Sequence, residues 1–201
     1  MRQAQNIAAL SRLKPDYMGF IFYPQSPRYV GDNWPVENIR QLPDTVEAVG
    51  VFVNENIGHI MSLCNRYGIK TVQLHGKETP RLCSQLQRKG YTVFKAFQID
   101  EETTAEELMP YQGKCDLFLY DTKSKGLGGS GQKFNWGKLE EFNDLGPFLL
   151  SGGISIEDAE AIKELKFSML KGVDVNSRFE VEPAIKNITL LQSFMESLQE
   201  P

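Results

Sequence analysis

The stretch VEAVGVFVNENIGHIMSLCNRYGIKTVQLHGKETPRLCSQLQRKGYTVFKA, residues 46–96, carries three β-rich runs separated by two amphipathic windows. The runs 46–53, 71–74 and 92–96 are nearly continuous in Val, Phe and Leu, as strands are when helices cover both faces of a parallel sheet. The windows 56–67 and 79–89 read as helices, the second opened by Thr79-Pro80, with proline at a first helical position. Working outward, the same alternation extends to both ends. Further strands are expected at 17–22, 117–120, 147–150 and 173–175. Further helices are expected near 2–13, 35–42, 103–110, 136–143, 155–165 and 184–198. Asp32 or Asn33 would cap the helix at Trp34-Pro35, and Ser155 the one containing Glu157-Asp158.

Repetition of strand then helix, about 20–30 residues per unit, implies parallel strands joined by right-handed crossovers. Seven strands and eight helices result, so the chain opens on a helix with no strand before it. A doubly wound open sheet could also hold seven strands, and periodicity by itself does not close a barrel. No Gly/Ser/Pro-rich linker divides the sequence, which reads as one domain over 1–201.

With 41% hydrophobic and 24% charged residues the composition is globular, and 201 residues suffice for a sizeable core. A formal charge of −4 argues against a nucleic-acid partner, because phosphate backbones select clustered Lys and Arg. No run approaches the roughly 20 apolar residues that span a bilayer, and the first residues lack the apolar core of a signal peptide. Cys64, Cys83 and Cys115 are few, odd in number and irregularly spaced, which suits a reducing compartment. A cytoplasmic location is the expectation.

In a parallel α/β barrel the ligand end is the C-terminal edge of the strands. Five of the seven expected strands run into unusual polar residues there. Arg28 follows the first, in a loop held by two prolines, and His75-Gly76 follows 71–74. Asp121 closes the run Leu119-Tyr120, where a carboxylate is costly unless it faces a polar pocket; a proton donor would sit well there. Ser151-Gly152-Gly153 follows 147–150, and Asn176-Ser177-Arg178 follows a strand containing Asp174. Two glycines between strand and helix let backbone N–H groups face an anion, and barrels often build a phosphate site from two adjoining turns of this kind. The plain readings stand beside these: a turn into a helix for Gly152-Gly153, a turn cap for Asp121, a surface ion pair for Arg28. His75 falls in phase with Gln73, so both should face the interior, as a satisfied histidine or a reactive one. His59 lies in a helical window and should be solvated. GLGGSG at 126–131 lacks the ending of a nucleotide loop and reads as a lid over a small phosphosugar or as a plain surface loop. No set of His, Cys and Asp has metal-ligand spacing.

GFIFYPQSPRYV, VGVFVNE, VQLHGKE, the Asp121-Thr122 strand end, GGSGQKFNW, LSGGI and GVDVNSRFE together resemble, in order and spacing, the successive motifs of phosphoribosylanthranilate isomerases. The resemblance spans about Tyr17 to Glu180. It implies a (β/α)8 TIM barrel and an Amadori rearrangement of N-(5-phosphoribosyl)anthranilate to an aminoketose, a step of tryptophan biosynthesis. It implies no cofactor and no metal, since the protonated imine is itself the electron sink. By motif it makes Asp121 the general acid and Arg28 the partner of the anthranilate carboxylate. Gly152, Gly153, Asn176 and Ser177 fall on phosphate-binding turns, Asp174 on the strand entering the second, and His75 on the pocket wall. Arg178 stands where the family commonly has glycine, either adding a cation to the phosphate site or pointing outward.

The family pattern opens on a strand ending Lys-Ile/Val-Cys-Gly, and this chain begins at what resembles the Met-Arg pair after it. The expectation is therefore a barrel lacking its first strand and its general-base cysteine, through a misplaced start codon. The strands holding Phe20 and Val173 would then expose edges that favour self-association. Two other phosphosugar barrels fit less well: indole-glycerol-phosphate synthase needs an early-strand lysine, and ribulose-phosphate epimerase needs metal-ligating histidines; neither arrangement is visible. A non-catalytic phosphosugar- or anthranilate-binding barrel is the alternative.

Overall fold

In the computed structural model, which describes residues 1–122 and 135–199, seven strands form one parallel sheet. In chain order the elements are α1 (Ala4–Ser11), β1 (Tyr17–Ile21), α2 (Glu37–Arg40), β2 (Glu47–Phe52), α3 (Ile57–Tyr67), β3 (Thr71–Leu74), α4 (Pro80–Arg88), β4 (Thr92–Ile99) and α5 (Ala105–Leu108). They continue with β5 (Leu117–Thr122), β6 (Phe148–Ser151), α6 (Ala159–Lys163), β7 (Leu170–Val173), an antiparallel pair β8 (Glu180–Glu182) and β9 (Ile185–Lys186), and α7 (Ile188–Gln199).

Strand order is β1 through β7 without a reversal, which excludes the doubly wound sheet, whose order turns back at a switch point. The sheet is also curled. Strands spaced about 4.8 Å apart would set β1 and β4 roughly 14 Å from each other in a flat sheet. Here the rings of Tyr17 on β1 and Phe94 on β4 meet edge to face, 5.1 Å apart. Val49, Phe94, Leu117 and Leu149, from β2, β4, β5 and β6, pack together on the same inner face. The alternate residues, Phe20, Phe52, Leu74, Phe118, Tyr120 and Phe148 among them, face the helices and belong to the main core. Among the described residues no second strand of the sheet pairs with β1 or β7, and β1 gains beyond β2 only an isolated parallel bridge of Ile21 with Tyr29, so the sheet is a partial barrel of seven strands.

Local sequence explains most helix starts. Thr79 accepts a hydrogen bond from Leu82 N (3.4 Å) ahead of Pro80, and Ser155 forms a reciprocal box with Asp158. Asn56 caps α3 through His59 N at 2.9 Å, and Gly68 ends that helix in the left-handed region.

Four expectations need correction. Neither Asp32 nor Asn33 caps a helix: Asp32 is taken by the Tyr29 hydroxyl, and α2 starts later, with Val36 at its N-cap position. The window 136–143 is a 3₁₀ helix, Trp136–Leu145, because its buried residues Leu139, Phe142 and Leu145 recur every third position, the period of that helix. The last strand of the sheet is Leu170–Val173 rather than 173–175; Asp174 adds one further ladder bond, to Leu150 O at 2.8 Å. The final helix begins at Ile188, not near 184, since Ala184 turns the chain at φ +73° between β8 and β9. The glycine-rich segment 126–131 lies outside the described residues.

Candidate active site

Two strand ends meet inside the mouth of the sheet. His75 leaves the end of β3 and Asp121 lies on the last turnout of β5, and their side chains approach to 3.5 Å between Nε2 and Oδ2. Gln73, two residues back on β3, places Nε2 2.8 Å from His75 Nδ1, as its shared phase with His75 implies. With the amide nitrogen donating, Nδ1 accepts, and the ring proton stands on Nε2, toward Asp121. Both side chains are about a quarter exposed, open to a ligand yet not freely solvated.

The next two strand ends supply the turns. Ser151 is buried at the end of β6, and its hydroxyl donates to Asp174 Oδ2 at 2.9 Å. Burial pushes the Asp174 carboxyl above its usual range; the Ser151 hydrogen bond and the charges of His75 and Lys186 oppose this, while Asp121 adds to it. Gly152 and Gly153 both have positive φ, +100° and +67°. A Cβ on Gly152 would run into the backbone of Thr122, whereas one on Gly153 would meet open space. Thr122 closes the same corner by donating to Ser151 O at 2.9 Å. Asn176 and Ser177 are exposed at the start of the 3₁₀ turn Ser177–Phe179, with Arg178 exposed beside them.

Arg28 does not stand alone. It binds Glu180 bidentately, Nε donating to Oε1 at 3.0 Å and Nη2 to Oε2 at 2.6 Å, joining the loop after β1 to β8. Burial works against the Glu180 charge, but Arg28 and Lys186 hold its carboxyl below the usual range. Lys186 on β9, itself lowered by burial, reaches Glu180 at 3.2 Å and the Asn176 carbonyl at 2.9 Å. One buried lysine thus links the Arg28 pair to the Asn176 turn.

All eight residues expected at the site fall at or beside strand ends on one edge of the sheet. Sequence reasoning missed Glu180 and Lys186 and gave Ser151, though named at its strand end, no role of its own; the three hold those residues in place. Glu180 and Lys186 had no signal, since their meeting depends on the β8–β9 turn. The three cysteines stand apart: Cys64 in α3, Cys83 in α4 and Cys115 ahead of β5 at the opposite edge, all buried. Burial raises their thiols to about 12, 11 and 12 respectively, so they stay protonated. His59 is exposed on α3, as its window suggested. Among the described residues no three His, Cys, Asp or Glu stand close enough to hold a metal, and no helix is long and apolar enough to cross a membrane.

A parallel sheet curled into most of a barrel, with its polar side chains gathered at the C-terminal strand ends, defines an enzyme of the β/α-barrel class. Comparison with known proteins narrows the class. Residues 1–197 match the family model of N-(5'phosphoribosyl)anthranilate (PRA) isomerase. An N-(5'-phosphoribosyl)anthranilate isomerase of Parabacteroides distasonis is 41% identical over 205 residues, covering 100% of this chain and 91% of that protein. The crystal structure of phosphoribosyl anthranilate isomerase from Thermotoga maritima superposes with a TM-score of 0.87 at 30% identity, over 99% of this chain and 95% of that one. Another isomerase structure, in complex with reduced 1-(o-carboxyphenylamino)-1-deoxyribulose 5-phosphate, gives a TM-score of 0.85 at 26% identity, over 99% and 95%. The chain belongs to the N-(5'-phosphoribosyl)anthranilate isomerase family.

Proposed function

We propose that this chain isomerises N-(5-phosphoribosyl)anthranilate to 1-(2-carboxyphenylamino)-1-deoxyribulose 5-phosphate, with Asp121 as the general acid. The observation that carries this reading is the Asp121–His75 approach at 3.5 Å, at the same sheet edge as the two glycine- and asparagine-bearing turns. Asp121 protonates the furanose oxygen, the ring C–O bond breaks, and the nitrogen lone pair forms a protonated imine. Loss of the C2 proton gives an enolamine, which tautomerises to the ketone. Gly152 and Gly153, with Asn176 and Ser177, hold the phosphate; His75 and Asp174 line the sugar subsite between the turns and Asp121.

Arg28 receives the anthranilate carboxylate. Its guanidinium is already committed to Glu180, so the substrate shares or displaces that contact. The proton-abstracting group is assigned to none of the three cysteines, whose burial and position take them away from the strand ends. A strand ending in the family's cysteine would fit between β1 and β7, which do not pair with one another among the described residues. The same flanks would support self-association, and a reaction of amino-acid biosynthesis accords with a cytoplasmic location.

The cysteine positions also favour a second reading, a barrel that binds the phosphosugar–anthranilate without turning it over. Loss of substrate fluorescence separates the two. Freshly made phosphoribosylanthranilate should lose its emission faster with this chain than in buffer. A stable change of emission on mixing, followed by decay at the buffer rate, would favour the binder.

A further inference from the structure

Beneath His75 lies an ion pair that the reaction does not touch. Lys95, in the apolar run of β4, and Glu78, just past β3, have side chains only 2% and 1% exposed and meet at 3.2 Å. A buried pair of this kind is often no more stabilising than apolar residues of the same volume, because both charges lose their hydration. Its contacts indicate another use. Lys95 Nζ donates to Leu74 O at 3.2 Å, Gly76 O at 2.9 Å and Ala96 O at 2.8 Å. The first two are the carbonyls immediately before and after His75. Glu78 accepts from Gly76 N at 2.9 Å and, through its other oxygen, from Asn54 N at 2.7 Å. Asn54 in turn accepts from Lys77 N at 2.6 Å, and its side chain leaves no room for a Cβ on Gly76. His75 N donates to Phe52 O at 2.8 Å, and the Tyr111 hydroxyl to Glu78 O at 2.9 Å.

We propose that Lys95 and Glu78 are positioning residues for His75, clamping the peptide groups on either side so that its ring faces Asp121. The proposal deepens the isomerase reading and rests on it for the role of His75. A carbonyl held on each side removes backbone freedom at the residue between, and ring direction follows from backbone direction. An error of about 1 Å in such a group costs up to about 100-fold in rate.

The test compares the chain with a Lys95→Met/Glu78→Gln double variant, which removes both charges at nearly constant volume and leaves an acceptor at position 78. The chain has two histidines, and exposed His59 serves as an internal reference. Imidazole ¹⁵N spectra at about pH 8 should show His75 as a single Nε2–H tautomer in the parent. In the double variant it should move toward the mixed pattern of free imidazole, with His59 and the circular dichroism unchanged and kcat/KM down roughly 10–100-fold. A folded double variant whose His75 signals and kcat/KM match the parent overturns the proposal. If the parent shows no turnover, the isomerase reading fails while the spectra still decide the positioning. If the double variant does not fold, hydrogen exchange in the parent decides: the Asn54 and Gly76 amides should be strongly protected, and exchange at the rate of an unstructured peptide would overturn the clamp.

Discussion

Asp121 and Asp174 are two carboxylates at neighbouring strand ends with different surroundings. Asp121 is about a quarter exposed and faces His75, whereas Asp174 is packed under Ser151 and its carboxyl is pushed upward by burial. The sign for stability follows. A carboxyl whose folded-state pKa lies above its unfolded value binds its proton more tightly when folded, so its charged form weakens the fold at neutral pH. Asp174→Asn removes that charge and keeps an acceptor for Ser151. Thermal unfolding at pH 7 should therefore occur at higher temperature in the variant, by about 2–4 °C for each kcal/mol recovered. The difference should shrink as pH falls through the raised value and the parent takes up its proton. A variant less stable than the parent at pH 7 would contradict this. The positions of Asp121 and His75 were legible because titratable residues stand where apolar strands end, whereas Asp174 was read inside a strand and entered the site only through the resemblance. The partners were less legible. Lys95 did leave a trace, a lysine within TVFKAF where both strand faces are covered, but what it grips could be seen only once β3 lay beside β4.

At the scale of elements, the glycine turn after β6 separates two demands that the dipeptide leaves merged. Gly152 needs both a positive φ and the absence of a Cβ against Thr122, while Gly153 needs only the positive φ. Gly153→Ala should cost about 1–2 kcal/mol, the strain of a left-handed alanine, and leave a folded protein. Gly152→Ala adds a backbone collision and should cost more, about 3 kcal/mol or above, read as a clearly larger fall in melting temperature. Equal falls would contradict the Thr122 contact. Strands and helices were readable from continuous apolar runs and caps such as Thr79 and Ser155. The 3₁₀ helix Trp136–Leu145 carried its own three-residue spacing, which a helical window tuned to 3.6 residues blurs. The start of α7 was also written locally: Asn187 accepts from Leu190 N at 3.1 Å, ahead of buried Leu191 and Phe194. The β8–β9 turn had no such marker, because a short antiparallel pair of three and two residues carries too few apolar positions to show a period.

For the whole molecule, strand alternation announced a parallel sheet but not its curvature, which depends on which residues meet across the interior. Tyr17 against Phe94 is such a meeting, between positions 77 residues apart in sequence (94 − 17). The curl brings β3, β5, β6 and β7 to one mouth, and so gathers His75, Asp121, Ser151 and Asp174 from widely separated motifs. The central claim is that proton donation from Asp121 opens the sugar ring in that mouth. The measurement that tests it most directly is turnover of phosphoribosylanthranilate, followed by loss of its fluorescence, for this chain and for Asp121→Asn. The account predicts enzyme-dependent decay in the parent and a fall in kcat of about 10²–10⁴-fold in the variant, the usual contribution of a general acid. Decay in Asp121→Asn at the parent's rate would contradict it.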